Sequence, residues 1–318
     1  MRVLVTGAGG FVGLHLLREL SRAGSRELIG TIPADASSEW SAPDIPGVEW
    51  ISLDISSMDS VSSAVSQVQP DLVYHLAGQA SVGASFEAPL ATWDVNATGT
   101  LRLVTALVRL SPGTRRLLLA SSAEVYGIIA PEDQPVCESS ASSPVSPYGA
   151  SKAAAEAAAI GASRPGRLEV VIARTFNQIG PGQDERFVLP SIARQLARMR
   201  EGGGPANILK LGNVTVERDF LDVRDAVSAY LQLMRLGRSG EAYNVCSGVA
   251  RPLSVVVGRL VELSRTDASI AIDPTRVRPS DIPVLVGANS KLRELGWQPR
   301  FDLDETLRSL LDEAREEL

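Results

Sequence analysis

The chain has 318 residues, of which 44% are hydrophobic and 21% are charged, and its formal net charge is −6. This is the composition of a globular protein with a core, and the length predicts one large domain or two closely joined ones. An acidic chain without a basic block lacks the electrostatic footprint of a protein that binds nucleic acid or an anionic membrane, so we expect neither partner.

The cysteines and the apolar runs indicate where the protein works. Cys137 and Cys246 lie far apart in the chain and have no metal-ligand spacing, so we expect no metal site and no disulfide framework. No run of about 18 apolar residues is present, so no membrane span is expected. The apolar start "MRVLVTGAGGFVGLHLL" is interrupted by glycines, which argues against a signal peptide. We expect a soluble, cytoplasmic protein.

Strand-like and helix-like patterns alternate over the first half of the chain. The β-branched runs are "RVLVTG", "ELIGTI", "VEWISLDI", "DLVYHLAG", "RRLLLASS" and "LEVVIARTF". The helical patterns are "FVGLHLLRELSRAG", "SMDSVSSAVSQV", "ATGTLRLVTALVRL" and "SKAAAEAAAIGA". Such alternation predicts parallel strands joined by crossover helices. The predicted fold class is therefore α/β, a Rossmann-like doubly wound parallel sheet.

The pattern becomes irregular after about residue 178, where proline and glycine cluster. The stretch "RDFLDVRDAVSAYLQLMRLG" and the following "EAYNVCSG" predict a return to strand and helix packing, and the tail predicts two further helices. We therefore predict a first domain over residues 1–177 with a returning segment at about 215–247. Residues 178–214 and 248–318 are predicted to form a smaller, interleaved C-terminal domain.

Gly7, Gly10 and Gly13 lie three residues apart between the first strand and the first helix. Glycines there allow a tight turn and a close approach of the backbone to a pyrophosphate, which the helix N-terminus attracts. A flexible loop without a ligand is the alternative, but the flanking strand and helix favour a dinucleotide. Thr31 occupies the end of the second strand, where an acidic residue would indicate NAD and a nearby arginine NADP. The choice between NADP and NAD is therefore not readable.

Loops at the carboxyl ends of the next strands are expected to line the same cofactor site. Asp54 and Ile55 follow the third strand, and Leu76, Ala77 and Gly78 follow the fourth. Asp54 has two equally weighted interpretations, as an acceptor from the adenine amino group or as the N-cap of the helix that follows.

Tyr148 and Lys152 are four residues apart at the start of an alanine-rich helix, so both project from one face. A neighbouring ammonium favours the phenolate, which would bring the tyrosine closer to acid and base work near neutral pH. On spacing alone, a solvated surface pair is the better interpretation. Ser121 and Ser122, at the carboxyl end of the fifth strand, shift the balance, because a serine hydroxyl there can bond a substrate oxygen and the tyrosine, although a turn-forming serine is otherwise the commoner role.

The motifs "TGAGGFVG", "HLAGQ", "SSAEVYG" and "SPYGASKAAAE" resemble those of the extended short-chain dehydrogenase/reductases that act on nucleotide sugars. The resemblance spans essentially the whole chain and implies NAD(P) and a catalytic set of Ser122, Tyr148 and Lys152. It also assigns cofactor binding to the first domain and the nucleotide sugar to the second. The expected cofactor-binding set is Gly7, Gly10, Phe11, Val12, Gly13, Thr31, Asp54, Ile55, Leu76, Ala77, Gly78, Tyr148 and Lys152.

Within that family, the second half of the chain is similar to the GDP-4-dehydro-6-deoxy-D-mannose reductases, which make GDP-D-rhamnose. The segments that carry this similarity are "IARTFNQIGPGQDERFVLPSIARQLARMREG", "LGNVTVERDFLDVRDAVSAYL", "YNVCSG" and "RVRPSDIPVLVGANSKLRELGWQP". Two positions depart from the usual "RPFNHIGPGQ", since Thr175 replaces a proline and Gln178 a histidine, while Asn177, a substrate contact in the family, is retained.

Candidate contacts to a GDP-sugar follow from charge and from the matched segments. Arg218 and Arg278 could bind the pyrophosphate or the base, because guanidinium groups pair with phosphate oxygens in a bidentate way. The alternative for Arg218 is an ion pair with a neighbouring carboxylate. Arg278 is favoured over Arg276 because it belongs to the matched "RPSD" stretch, and Asp281 could contact a guanine edge or cap a turn.

Glu124, two residues after Ser122, leaves the reaction open. In related 4,6-dehydratases a glutamate at this place removes a proton, so the chain could be a dehydratase or an epimerase with tightly bound NAD(P)+. We favour a role in ordering the loop or the sugar, and hence a reductase. A non-catalytic dinucleotide sensor is a third hypothesis, but such a protein would be expected to lose Tyr148 or Lys152.

Two helical stretches, "ATGTLRLVTALVRL" and "SKAAAEAAAIGA", are candidates for a subunit interface. Their alanines permit close approach of helices, and members of the family commonly dimerise through a four-helix bundle of these elements. The alternative use of the same alanines is packing on the sheet of their own subunit. We expect a homodimer.

Overall fold

The computed structural model describes residues 1–24, 27–34, 42–110, 115–200, 207–273 and 282–317. The strands are β1 (Arg2–Thr6), β2 (Glu27–Ile32), β3 (Val48–Ser52), β4 (Leu72–His75), β5 (Arg115–Ser122), β6 (Leu168–Thr175), β7 (Asn177–Ile179), β8 (Ile208–Leu211), β9 (Glu217–Asp222), β10 (Ala242–Val245), β11 (Ala250–Pro252), β12 (Ser269–Ile272) and β13 (Val284–Leu285). The helices are α1 (Phe11–Arg22), α2 (Met58–Val68), α3 (Val82–Glu87), α4 (Pro89–Trp93), α5 (Gly99–Arg109), α6 (Pro147–Ala162), α7 (Val188–Arg200), α8 (Val223–Leu236), α9 (Leu253–Ser264), α10 (Ser290–Arg293) and α11 (Leu303–Glu316).

The large sheet confirms the predicted fold class. In the described part of the chain it contains seven parallel strands in the order β10-β6-β5-β4-β1-β2-β3. The order reverses between β1 and β4, which is the switch point of a doubly wound sheet, where ligands bind at the carboxyl ends of the strands. No helix in the described ranges is long and apolar enough to cross a bilayer.

Both faces of this sheet are covered, which explains the nearly continuous apolar runs of its strands. Successive strand residues face opposite layers, so Val3 and Val5 pack with α1 and α8 while Leu4 packs with α2, α5 and α6. The two layers hold α6 on one side of β5 and β6 and α8 on the other.

The second region is built around short strands and three helices. β9 pairs with β7, β11 and β13, and β8 pairs with β12. Helices α7, α9 and α11 share one apolar cluster with β7, β8 and β9. Helices α9 and α11 confirm the two helices that the sequence predicts for the tail. The assignment of the cofactor to one region and the sugar nucleotide to the other stays a prediction.

Candidate active site

The glycine turn after β1 is built so tightly that side chains would not fit. Gly7 has a φ of +69°, and a Cβ atom there would lie 2.6 Å from the backbone N of Ala77. A Cβ atom at Gly13 would lie 2.6 Å from the Cα and the carbonyl oxygen of Ala8. Both distances are shorter than real Cβ contacts, so the turn, the loop after β4 and the start of α1 pack as bare backbone. This is the close approach that the glycine spacing predicts.

The start of α1 fits a pyrophosphate. Its N-cap is Gly10, which has no side chain to accept hydrogen bonds from the first amides of the helix. No acidic residue lies in the first turn, so an anion is the natural partner for these amides and for the positive end of the helix dipole. Phe11 and Val12, in the same turn, are half-buried. The residues present therefore fit a dinucleotide.

Thr31 supports the turn from behind. It is only 2% exposed, its Oγ1 accepts from the Gly7 amide at 3.2 Å, and its carbonyl accepts from the Ala8 amide at 3.0 Å. The threonine thus fixes the glycine turn, and its hydroxyl is occupied by the backbone.

Asp54 is not the N-cap of α2. That position belongs to Ser57, whose side chain accepts from the amide of Ser60. The Asp54 carboxylate instead accepts from the amide and hydroxyl of Ser56 at 2.8 and 2.6 Å, and these bonds lower the pKa of Asp54. The capping interpretation is therefore wrong, while the adenine interpretation stays a prediction. Ile55, the next residue, is buried.

The loop after β4 meets the reacting end of the site. A Cβ atom on Gly78 would lie 3.4 Å from Lys152 Nζ and 2.8 Å from Asn96 Oδ1. Leu76 and Ala77, which precede it, are half-buried. The glycine turn, this loop and the catalytic helix are therefore neighbours, as their places at one edge of the sheet predict.

Two residues in this area escaped the sequence analysis. Asn96 is 2% exposed, and its side chain bonds both the amide and the carbonyl of Gln79 and the hydroxyl of Ser151. It lies in a π-helical turn, Asp94–Thr98, a feature that often marks functional sites and has no simple sequence signal. The Oε1 atom of Gln79 is buried without a hydrogen-bond partner among the described residues, which makes it a natural ligand contact.

Helix α6 places Tyr148 and Lys152 inside the protein. Ser146 caps the helix by accepting from the Gly149 amide at 3.0 Å, and Pro147 follows at the first helical position. Tyr148 and Lys152 are each 8% exposed. The solvated surface pair, which spacing alone favours, is therefore wrong.

Burial sets the protonation of the tyrosine. It raises the pKa of Tyr148 to about 12, and a hydrogen bond with the Ser122 side chain opposes this only in part. Lys152 Nζ lies 6.0 Å from the centre of the Tyr148 ring and donates instead to the carbonyl of Ala120 at 2.9 Å. Contrary to the expected effect of the ammonium, Tyr148 is a neutral hydroxyl at pH 7, the form that donates a proton.

The pKa of Lys152 lies only slightly above neutral pH. Burial lowers the pKa of its ammonium to about 8, while the carboxylate of Glu156 acts in the opposite direction. His75 on β4 is neutral, because burial and the Lys152 charge lower its pKa to about 3. Its two ring nitrogens bond Thr6 and Thr100, so it is a structural link between β1, β4 and α5.

Ser122 and Glu124 lie beside Tyr148. The Ser122 hydroxyl accepts from the amide of Glu124 at 3.2 Å, which turns the chain after β5 into a 3₁₀ turn. A Cβ atom on Gly149 would lie 2.6 Å from the Glu124 carbonyl oxygen, so this turn rests directly on α6. The negative charge of Glu124 raises the pKa of Tyr148 further. Three of the four expected catalytic side chains are buried and the fourth, Glu124, is half-buried.

The two departures from the family pattern meet at one buried tyrosine. Thr175 Oγ1 lies 2.8 Å from the hydroxyl of Tyr230, and Gln178 Nε2 donates to the same hydroxyl at 3.0 Å. Tyr230 is close enough to Tyr148 to raise its pKa. The altered residues therefore form a connected unit next to the reacting end.

The candidate substrate residues divide into two groups. Asn177 is exposed at the start of β7, next to Phe220 on β9. Arg218 is half-buried on β9 and donates through Nη1 to the carbonyls of Glu217 and Ile282. Arg278 and Asp281 lie outside the described residues.

Known proteins match this chain over nearly its whole length. The family model of GDP-mannose 4,6 dehydratase matches residues 4–310. The GDP-6-deoxy-D-mannose reductase of Pseudomonas aeruginosa is 37% identical over 314 residues, which cover 98% of this chain and 96% of the relative. The solved structure of RMD from Pseudomonas aeruginosa complexed with NADPH has a TM-score of 0.83 at 34% identity, with 100% of both chains covered. The UDP-glucose 4-epimerase of Thermus thermophilus in complex with NAD has a TM-score of 0.88 at 29% identity, again with 100% of both chains covered.

Proposed function

We propose a function that starts from one fact: this chain belongs to the GDP-mannose 4,6-dehydratase family. We propose that it is an NAD(P)-dependent nucleotide-sugar reductase, acting on the C4 ketone of GDP-4-dehydro-6-deoxy-D-mannose and giving GDP-D-rhamnose. The observation that carries this proposal is the neutral Tyr148 hydroxyl, buried and hydrogen-bonded with Ser122, in a chain 37% identical to a GDP-6-deoxy-D-mannose reductase.

The proposed roles follow from protonation and position. When C4 gains a hydride, its oxygen becomes an alkoxide and needs a proton. Tyr148 supplies that proton, because its raised pKa keeps the hydroxyl protonated until the alkoxide, a stronger base, forms. The Ser122 hydroxyl hydrogen-bonds both the ketone oxygen and the Tyr148 hydroxyl, which keeps them next to each other. Lys152, as an ammonium, stabilises the phenolate that remains and orients the cofactor ribose.

The cofactor supplies the hydride when bound. We propose NADP or NAD, held by Gly7, Gly10 and Gly13 around the pyrophosphate, with the loop Leu76–Gly78 beside the nicotinamide end. The structural relatives carry NADPH in one case and NAD in the other, which supports the class of cofactor and leaves the preference to measurement.

The GDP moiety is assigned to the second region. Asn177 is exposed at the start of β7 and Arg218 provides a guanidinium on β9, so both are proposed contacts of the sugar nucleotide. Arg278 and Asp281 are proposed for the pyrophosphate and the base from the matched "RPSD" stretch.

A 4,6-dehydratase is the second candidate, favoured by Glu124 beside Tyr148. With NAD(P)+ bound to accept and return a hydride, a carboxylate there could remove the C5 proton beside the C4 ketone, so that the C6 hydroxyl leaves as water without net redox change. Loss of water from GDP-mannose that disappears in Glu124→Gln would establish this reaction. Retained reductase turnover in the same variant would assign Glu124 to ordering the loop.

The deciding experiment is turnover of GDP-4-dehydro-6-deoxy-D-mannose with NADPH and, separately, with NADH. We expect stoichiometric loss of the reduced cofactor, followed by its absorbance, and, by NMR, a new C4 hydroxyl with the D-rhamno configuration. No loss of either reduced cofactor would refute the reductase, and a different configuration at C4 would refute the proposed product.

We also propose a homodimer through α5 and α6 in the cytoplasm. Leu101 on α5 and Ile160 on α6 are 49% and 44% exposed, while Ala155 and Ala159 are buried in the subunit's own core, so the open face of the helix pair is available. Sedimentation should give a dimer for the wild type and a monomer for Leu101→Glu. Val255→Glu, at a 63% exposed site on α9, is the matched control and should remain dimeric. Free Cys137 and Cys246 fit a reducing compartment.

A further inference from the structure

Glu156 lies one helical turn beyond Lys152 on α6 and is 6% exposed. Its Oε1 accepts from the Ser121 hydroxyl at 2.5 Å and from Arg174 Nε at 3.0 Å. Its Oε2 accepts from Arg174 Nη2 at 2.8 Å. These charge-assisted bonds offset the cost of burying a carboxylate on the catalytic helix.

These bonds place the carboxylate next to the catalytic elements. Lys152 is bonded to the carbonyl of Ala120 and Glu156 to the side chain of Ser121, so two successive turns of α6 are fixed to two successive residues of β5. The next residue of that strand is Ser122. Arg174 is the register partner of Ser121 on β6, so the guanidinium joins both strands to the helix.

We propose that Glu156 is a positioning residue of the site: through Ser121 and Arg174 it fixes α6 against β5, and it places a carboxylate one helical turn from Lys152. The inference rests on the proposed function, because it gives the charge of Lys152 a role in the reaction. Glu156 touches neither the reacting tyrosine nor Ser122 in these bonds, so it acts through Lys152.

The other charged and titratable groups around Lys152 do not replace this carboxylate. His75, which faces it from β4, is neutral at pH 7, and Tyr148 on its own helix is a neutral hydroxyl. Arg174 on β6 is cationic. From the turn after β5, Tyr126 bonds Arg174 and Asn244, and Glu124 acts on Tyr148. From the π-helical turn, Asp94 is paired with Arg102.

A purely structural role makes a different prediction. The Glu156–Arg174 pair also holds Tyr126, whose ring lies 4.9 Å from the guanidinium, so breaking it would destabilise the fold in either case. A structural clamp would leave the titration of Lys152 unchanged in every variant that folds. A charge acting on Lys152 would shift that titration in one direction.

The lysine content of the chain makes the titration observable. The sequence has three lysines, Lys152, Lys210 and Lys291, so protein labelled with ¹³C at the lysine ε position gives three signals. Lys210→Arg and Lys291→Arg assign the other two. In Glu156→Gln we expect the Lys152 signal to titrate about 0.5 to 1 pH unit lower than in the wild type. Glu156→Asp, which keeps the charge, should titrate close to the wild type.

The controls separate charge from folding. Glu169→Gln breaks a more exposed arginine–glutamate pair, with Arg116, at the opposite end of β6 and should leave the Lys152 titration unchanged. If Glu156→Gln does not fold, Glu156→Gln with Arg174→Met avoids a buried unpaired cation, and the shift should keep its direction because Glu156 is the charged group that raises the Lys152 pKa against the larger effect of burial. An unshifted Lys152 signal in folded Glu156→Gln, or in the folded double variant, overturns the proposal. Because the titration needs no substrate, it can refute the role of Glu156 whether or not the reductase assay supports the proposed function.

Discussion

The candidate active site has two ends, the glycine turn expected to hold the nucleotide and the reacting end around Tyr148. The two ends are built from different chemical groups. At the nucleotide end, Gly7 and Gly13 pack as bare backbone at distances that exclude a Cβ atom, and the available groups are amides. At the reacting end, Ser122, Tyr148 and Lys152 are buried polar side chains whose protonation is set by burial and by their neighbours. Damage at the first end should therefore be steric and affect binding, whereas damage at the second should be chemical and affect turnover.

The largest expected effect is at the reacting end. Tyr148→Phe removes the proton donor but keeps the ring, so kcat for the keto sugar should fall about 10³-fold. The Kd of NADPH, measured by fluorescence, should stay within about twofold, since the glycine turn is untouched. Turnover that survives this change with little loss would contradict the proposed acid. Lost NADPH binding in this variant would show that the reacting end also determines cofactor affinity, contrary to the expected separation of binding and turnover.

At the nucleotide end, Gly7→Ala should weaken NADPH binding by about two orders of magnitude, because the new Cβ atom must displace the backbone at Ala77 and φ is +69°. Gly161→Ala is the matched control, since nothing lies within 4 Å of an added Cβ there. Its cofactor affinity should equal that of the wild type. Equal affinities in both variants would show that the turn tolerates side chains.

The same contrast explains what the sequence could predict. Glycine spacing after a strand reports a backbone requirement directly, so the turn was readable from Gly7, Gly10 and Gly13. The Tyr148 and Lys152 pair was readable only in its context, because spacing does not encode burial. Asn96 was missed, since a π-helical turn has no periodicity signal, and Glu156 looked like one more residue of an alanine-rich helix. Its partners, Ser121 and Arg174, are distant in sequence.

A third prediction uses pH to separate the two ends. Lys152 has a pKa of about 8, so kcat/KM for the reduction should fall about tenfold per unit above that value, whereas a site of amides would not titrate there. Stability should change in the opposite sense. The pKa of Lys152 is depressed on folding, so between about 8 and the unfolded value the unfolded state binds more protons and the free energy of unfolding rises with pH.

The measurement is kcat/KM and the denaturation midpoint across this range, for the wild type and Lys152→Met. The methionine variant should lose the pH-dependent gain in stability, and it should bind NADPH more weakly at pH 7 than the wild type does. A wild-type profile that stays flat to about pH 10, the ordinary lysine pKa, would mean that the bound substrate and cofactor hold Lys152 charged through a stronger partner than Glu156.

The smallest effects concern Asp54, the carboxylate expected to contact the adenine. Ser57→Ala removes the N-cap of α2 and should cost about 1 kcal/mol of stability without changing the Kd of NADPH. Asp54→Ala removes a carboxylate that bonds Ser56 rather than capping the helix, so its effect should appear in NADPH affinity, by about fivefold for one lost hydrogen bond. Both residues precede α2, so the two variants compare a structural cap with an expected ligand contact at one end of the same helix. If Asp54→Ala binds NADPH as the wild type does, Asp54 makes no contact that matters for cofactor affinity. The nucleotide end would then bind the cofactor through backbone groups, in contrast to the side chains of the reacting end.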